Sequence, residues 1–247
     1  MLSVERENRI KELAKRSEDR NIFTFSDFLN PTSLAESIAL LKPNEYSVFG
    51  GASFSERQMI RFGSPTELGY EEPFPIAVLK ITARGGKFAN PLGHRDVLGA
   101  VLNLGIERQK LGDIFINGNF SYVIADEKVA KLIVQELKTV GKNTVDVEVT
   151  GGVPEEFKPR LKTEEFSVAS NRADALVSKV FNLSREEGSL LFAKGYVIIN
   201  GKICQSPSKD LSPQDVVAVR GLGKFIFDGE GGLSKKGKLY VTVSKFI

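Results

Sequence analysis

The sequence predicts an α+β protein in two domains, and three observations carry that reading. Between residues 73 and 150, strand-like and helix-like segments follow in the order β-α-β-β-α-β, the split βαβ arrangement. From Asn171 to Gly201 two short helices feed a tight β-hairpin. Between the two regions, Gly151-Gly152-Val153-Pro154 and the stretch EEFKPRLKTEEF form a polar, proline-broken connector. The expected boundaries are 1–72 for a helical extension with a short strand, 73–150 for a ferredoxin-like domain, 151–166 for a linker and 167–247 for a small α/β domain.

In the extension, Leu2 to Arg20 is a charged helix, and Asn30-Pro31 stops the element after it. Ser33 caps a short helix through Leu41, which Pro43 closes. Tyr46 to Phe49 reads as a strand ending at Gly50-Gly51, and Ser55 to Phe62 as a short helix. In the second region Pro75 to Thr82 is an apolar strand and Arg95 to Leu104 a helix stopped by Gly105. Asp113 to Ile116 and Phe120 to Ile124 are strands joined at Asn117-Gly118. Asp126 to Val140 is a helix with Val129, Ile133, Val134 and Leu137 on one face, ended by Gly141, and Thr144 to Val149 is the last strand.

In the C-terminal region Ala173, Leu176, Val177, Val180 and Phe181 recur at helical spacing and leave one face wet. Ser184 stands at an N-cap position and Glu187 completes a capping box. Gly195 ends the second helix, Tyr196 to Ile199 is a strand, and Asn200-Gly201 is a strong hairpin signal. Strands follow at Val216 to Arg220, Phe225 to Phe227 and Lys238 to Phe246, with Gly229 to Gly237 as a loop tip.

The formal net charge is only +3, but it is unevenly placed. From Ser167 onward there are 12 Lys/Arg against 7 Asp/Glu, whereas residues 1–166 hold 22 against 24. The basic surplus therefore belongs to the C-terminal region, as a nucleic-acid footprint would require. The candidate RNA contacts are Arg172, Lys179, Ser184, Arg185, Lys194, Lys202, Lys209, Arg220 and Lys224. Arg185 is the sharpest of them, because a cation in a first helical turn opposes the helix dipole. Asp174 and Ser184 also have ordinary roles as helix-start and capping residues.

These motifs resemble the RNA-binding domain named after ribosomal protein S4. The matching residues are Arg172 and Asp174, Ser184 and Arg185, then Gly195, Val197, Asn200 and Gly201, with Asp215, Val219 and Arg220 similar to its closing strand. Ala173 stands where that pattern has leucine, and Gly188 where alanine is common. The resemblance implies an S4-type fold gripping folded RNA by shape and phosphate position.

Little in the chain points to catalysis. His94-Arg95-Asp96 is like a kinase catalytic loop, but that signature needs asparagine five residues after the aspartate, where Val101 stands. Gly232 to Lys238 has the spacing of a phosphate-binding loop, yet Leu239 and a strand follow in place of Ser/Thr and a helix. One histidine, His94, excludes a multi-histidine metal site, and one cysteine, Cys204, excludes an internal disulfide and reads as a small buried hydrophobe. No cofactor, metal or small-molecule substrate is expected. The absence of a membrane-length apolar run or signal-peptide pattern leads to the expectation of a soluble, cytoplasmic protein.

The blocks GHRDVLGAVLNLGIERQKLGDIFI and NEYSVFGGASFSERQMI are similar to segments of the YlmH-type proteins. That likeness implies a bacterial, non-enzymatic RNA-binding protein of ribosome-associated quality control. It would bind rRNA or tRNA on a large ribosomal subunit that carries an obstructing peptidyl-tRNA, and support tailing of the stalled chain. The family has also been linked to cell division. Two other readings stand beside it: an RNA-modifying enzyme with an S4 targeting domain, and a division-linked interaction protein using the helix at Val4 to Arg20 as a partner site.

Overall fold

The computed structural model describes residues 4–43, 45–234 and 237–247, without the side chain of Lys87. The chain is α+β, all its strand pairs are antiparallel among the described residues, and it divides into two compact units, 1–158 and 159–247.

The first unit begins with α1 (Val4–Arg20) and β1 (Thr24–Phe25); Leu2 lies outside the described residues. Next comes α2 (Pro31–Ile38), which starts where a stop was expected. Asn30 is its cap, Oδ1 accepting from the Ser33 N–H at 2.8 Å, and Pro31 occupies N1, where a missing donor is harmless. Ser33 is therefore inside the helix, which ends before Leu41. β2 (Tyr46–Phe49) falls where expected, but the segment expected as a helix from Ser55 is turns followed by a strand, β3 (Met59–Phe62). All four residues of β3 are buried, and a short run without a wet face gives periodicity nothing to distinguish. A one-turn helix, α3 (Pro65–Leu68), follows, and the small sheet has the order β1-β3-β2.

A larger sheet is built from β4 (Ile76–Ala83), β5 (Leu111–Asn117), β6 (Phe120–Asp126), β7 (Thr139–Val140) and β8 (Asn143–Thr150), in the order β5-β6-β4-β8-β7. α4 (His94–Leu102) links β4 to β5 and α5 (Glu127–Glu136) follows β6. Both helices cover one face, where Leu79, Ile81, Val97, Val101, Val123 and Ile133 are fully buried. The opposite face packs Val78, Tyr122 and Ile124 against Phe28 and Met59. α5 stops short of the expected Val140 because Thr139 and Val140 pair with β8. The β5–β6 turn is Gly118-Asn119, one residue later than expected, since Asn117 still pairs with Phe120.

The second unit is one six-stranded sheet with two helices. Its elements are β9 (Leu161–Val168), α6 (Ala173–Val180), α7 (Arg185–Ala193), β10 (Val197–Ile199), β11 (Lys202–Ile203), β12 (Asp215–Val219), β13 (Gly223–Leu233) and β14 (Leu239–Phe246). The order is β11-β10-β12-β13-β14-β9. Residues 161–166, expected as linker, are thus a strand, paired with β14 from Leu161↔Phe246 to Val168↔Leu239. β9 is an edge strand that carries Lys162, Glu164 and Glu165, and such charges are how a sheet edge avoids unwanted pairing and why it reads as polar connector. The loop tip is also shorter than expected: β13 runs on to Leu233 through two register shifts, after Phe227 and after Glu230. Lys235 and Lys236 of the rejected phosphate-loop motif lie outside the described residues. Leu176, Val177, Phe192, Val217, Phe225 and Val243 form the fully buried centre.

Candidate nucleic-acid interface

α7 forms for reasons local to its sequence. Ser184 Oγ accepts from the Glu187 N–H at 3.2 Å while Glu187 Oε2 accepts from the Ser184 N–H at 2.8 Å, which closes the capping box. These bonds to Ser184, backbone first, hold the Glu187 carboxyl below its usual pKa. Gly188 is buried where α7 crosses α6; a Cβ there would lie 2.1 Å from Ser178 Oγ, so the close approach uses the glycine. Asn200 and Gly201 both have positive φ, 48° and 77°, as a type I′ turn needs. Asn200 Nδ2 donates to Asp215 Oδ1 at 2.7 Å and its Oδ1 accepts from the Val216 N–H at 2.8 Å, tying the hairpin to β12.

Arg185 is the first residue of this helix, is exposed, and has no hydrogen-bond or ion-pair partner among the described residues. Lys179 lies exposed in the last turn of α6, and the loop 181–184 brings it near Arg185, with the Leu183 N–H donating to the Ser178 carbonyl at 2.8 Å. Ser184 is committed to the cap. Arg172 differs from expectation: it is the N-cap residue of α6 and forks onto Asp174, Nε to Oδ1 at 3.1 Å and a terminal nitrogen to Oδ2 at 2.7 Å. Hydrogen bonding to Asp174, then its charge, raises the guanidinium pKa. The pair is not buried, with 45% of the Arg172 side chain exposed, so the guanidinium is accessible but occupied.

Lys209 adjoins Arg172, because the Ala173 N–H donates to the Lys209 carbonyl at 2.8 Å. At the far end of α7, Lys194 is the exposed C-cap, where a cation suits the dipole. Two residues on, the Tyr196 ring lies 5.4 Å from the Arg220 guanidinium, and the Arg220 N–H donates to the Tyr196 carbonyl at 3.0 Å. Lys202 stands exposed on the edge strand β11, and Lys224, half-buried, sets Nζ 4.1 Å from the Phe246 ring. Six of the nine residues thus form three neighbourhoods, at Arg172–Lys209, Lys179–Arg185 and Lys194–Arg220, while Ser184 serves the cap and Lys202 and Lys224 stand on the strands β11 and β13. Sequence reasoning missed Lys245, whose Nζ is 5.3 Å from the Phe181 ring; only the antiparallel pairing places it beside Phe225.

The first unit uses its arginines differently. Arg61 is buried, donating to Ser47 Oγ at 3.0 Å and to the Glu72 carbonyl at 2.7 Å, between the rings of Phe23 and Phe74 at 4.9 and 5.2 Å. Arg57 donates to the carbonyls of Leu111 and Phe28, both at 2.9 Å, and burial, helped by nearby Arg108, lowers its pKa to about 10. Burial raises the Asp113 pKa, against its acceptance of the Glu56 and Arg57 N–H groups. His94 opens α4 and Asp96 sits in its first turn, beside a cleft of about 480 Å³ lined also by Arg95, Glu136 and Thr139. Cys204 is buried, as expected. Among the described residues no group of three or more His, Cys, Asp or Glu could hold a metal, and no helix is long and apolar enough to cross a membrane.

Comparison with known proteins adds three findings. Residues 70–151 match the family described as "Putative RNA-binding domain in YlmH". Ribosome-associated protein quality control protein P2 of Bacillus subtilis (strain 168) is 29% identical over 154 residues, 62% of this chain and 60% of that protein. The chain therefore spans about 60% of the length of that curated relative. The solved structure of the cell division protein ylmH from Streptococcus pneumoniae superposes with a TM-score of 0.50 at 21% identity, over 64% of this chain and 96% of its own. At that identity the likeness is one of fold.

Proposed function

We propose, on the premise that this chain belongs to the YlmH-like family of bacterial RNA-binding proteins, that it is a non-enzymatic RNA-binding factor of the large ribosomal subunit. Its task is in ribosome-associated quality control, on stalled peptidyl-tRNA complexes in the cytoplasm. The observation that carries this is Arg185, a wet guanidinium without a partner among the described residues, held at a helix start where its charge is locally unfavourable. A phosphate placed there supplies the missing counter-charge and accepts from the planar fork.

The second unit is the RNA-gripping part, an S4-type domain that takes in β9 and so begins near residue 159. Lys179, Lys194, Lys202, Lys209, Arg220 and Lys224 extend the grip, and Arg172 joins it when phosphate competes with Asp174. The 73–150 region is ferredoxin-like, a reading supported by the order β5-β6-β4-β8 with both helices on one face. It selects the docking site or partner, and no cofactor is required.

Sedimentation of a cell lysate tests the reading. The protein co-migrates with large ribosomal subunits, and Arg185→Glu, whose fold is checked by circular dichroism, migrates free. Normal co-migration of the folded variant overturns the site, and free migration of the wild type overturns the ribosomal role in favour of a division-linked interaction protein.

A further inference from the structure

A groove in the first unit has the wrong charge for RNA and a suitable geometry for a peptide. It holds about 650 Å³ and is lined by Ser47, Val48 and Phe49 of β2, by Phe74 and Ile76, and by Val149 of β8. Three consecutive residues of one strand line it. Successive strand side chains point to opposite faces, so the groove reaches round the edge of β2 as well as the face that carries Ser47 and Arg61. β2 is the terminal strand of its sheet: β3 takes one edge, and the other is unpaired among the described residues. Alternate residues there turn N–H and C=O outward, ready for another strand.

The trough beside that edge is apolar and firmly seated. Val48, Phe49 and Val149 are left 37%, 41% and 63% exposed. Phe74 is braced between Phe25 and Phe49 at ring distances of 5.8 and 5.7 Å. The chain after β2 cannot shift easily: a Cβ on Gly50 would lie 2.3 Å from the Arg57 carbonyl, and Ser55 Oγ donates to the Gly50 carbonyl at 2.8 Å. Two carboxylates line the groove: Glu127 is exposed, and Glu71, 69% exposed, pairs through Oε1 with Arg61 at 3.3 Å. The lining cation, Arg61, is buried and already bonded to Ser47, the Glu72 carbonyl and Glu71. A phosphate chain entering here would meet carboxylates over an apolar floor.

We propose that the groove binds an extended, basic segment of a partner protein. The segment adds to β2 as a further strand, seats apolar side chains over Phe74 and Val149, and sets lysines or arginines against Glu127 and against the exposed side of Glu71, which Arg61 already engages. This does not depend on the RNA reading of the second unit, and the two fail separately.

The test uses the full chain and three hexapeptides: alternating Lys and Val, alternating Glu and Val, and alternating Lys and Gly. Amide NMR shifts locate binding, and fluorescence anisotropy measures it. The Lys/Val peptide binds, with shifts confined to 46–49, 71–78 and 149–151, and the other two bind at least about tenfold more weakly. Glu71→Lys with Glu127→Lys lowers affinity for the Lys/Val peptide about tenfold or more and leaves RNA binding by the second unit unchanged. Equal binding of the Glu/Val peptide, shifts outside the groove, or no binding of the Lys/Val peptide overturns the proposal. So does competition for the same amides by single-stranded RNA, or self-association of the protein that Val149→Arg abolishes.

Discussion

The two units treat the same residue type in opposite ways. In the first, Arg57 and Arg61 are sunk among backbone carbonyls and aromatic rings, so their charge is spent inside the fold. In the second, Arg185, Lys179 and Lys194 stand wet at helix ends without ion-pair partners among the described residues. A buried guanidinium with satisfied donors is scaffolding, and removing it strands its acceptors. An exposed one contributes little to stability and is free for a ligand. Net charge blurs this difference; partner geometry reveals it.

The largest effect that would sharpen the contrast is Arg61→Ala. Losing three hydrogen bonds and two ring contacts should destabilise the first unit by about 3 kcal/mol, read from its denaturant transition, while the RNA affinity of the second unit stays within error. A loss below about 0.5 kcal/mol would put Arg61 with the surface cations.

Much of the second unit was legible because its signals are short-range. Ser184 with Glu187, Gly195, and Asn200-Gly201 each specify geometry within a few residues, and each appears where the pattern placed it. What was illegible depends on long-range packing. β3 is buried on every residue and so lacked a period, and β9 carries edge-strand charges that imitate a linker. Nothing in the residues next to Arg61 marks it as buried; Phe23 and Phe74, far apart in sequence, flank it. The Arg172–Asp174 fork was hidden because these residues, two apart, do not meet on a regular helix; Arg172 reaches back only from its extended N-cap backbone. Asp174 therefore occupies the Arg172 guanidinium as well as serving as a helix-start acid.

If Arg172 touches RNA, this ion pair competes with phosphate for it. Asp174→Asn should release Arg172 and tighten RNA binding by roughly threefold, as removal of a weak competing surface ion pair would. Fluorescence anisotropy with a labelled rRNA fragment would show it; weaker binding would mean the pair positions Arg172 productively.

The smallest effect separates the units by pH. The Glu187 carboxyl, held below its usual value of 4.5 by Ser184, stabilises α7 above that pH, and the contribution is lost as pH falls through the lowered pKa. Asp113, raised above 3.8 by burial, acts oppositely: the first unit loses stability as pH rises through the window from 3.8 to that raised value. Thermal melts across acidic pH should show Glu187→Gln flattening the acid limb of the second unit, and Asp113→Asn removing the opposite slope from the first. Identical pH profiles for variants and wild type would remove the basis for these assignments.

The most direct measurement is the salt dependence of RNA affinity for wild type and Arg185→Ala. If Arg185 neutralises one phosphate, the log–log slope should become shallower by about 0.7 to 0.9, with affinity lower at every salt concentration. An unchanged slope at unchanged affinity would contradict the account, because the most available guanidinium of the second unit would then not touch the nucleic acid.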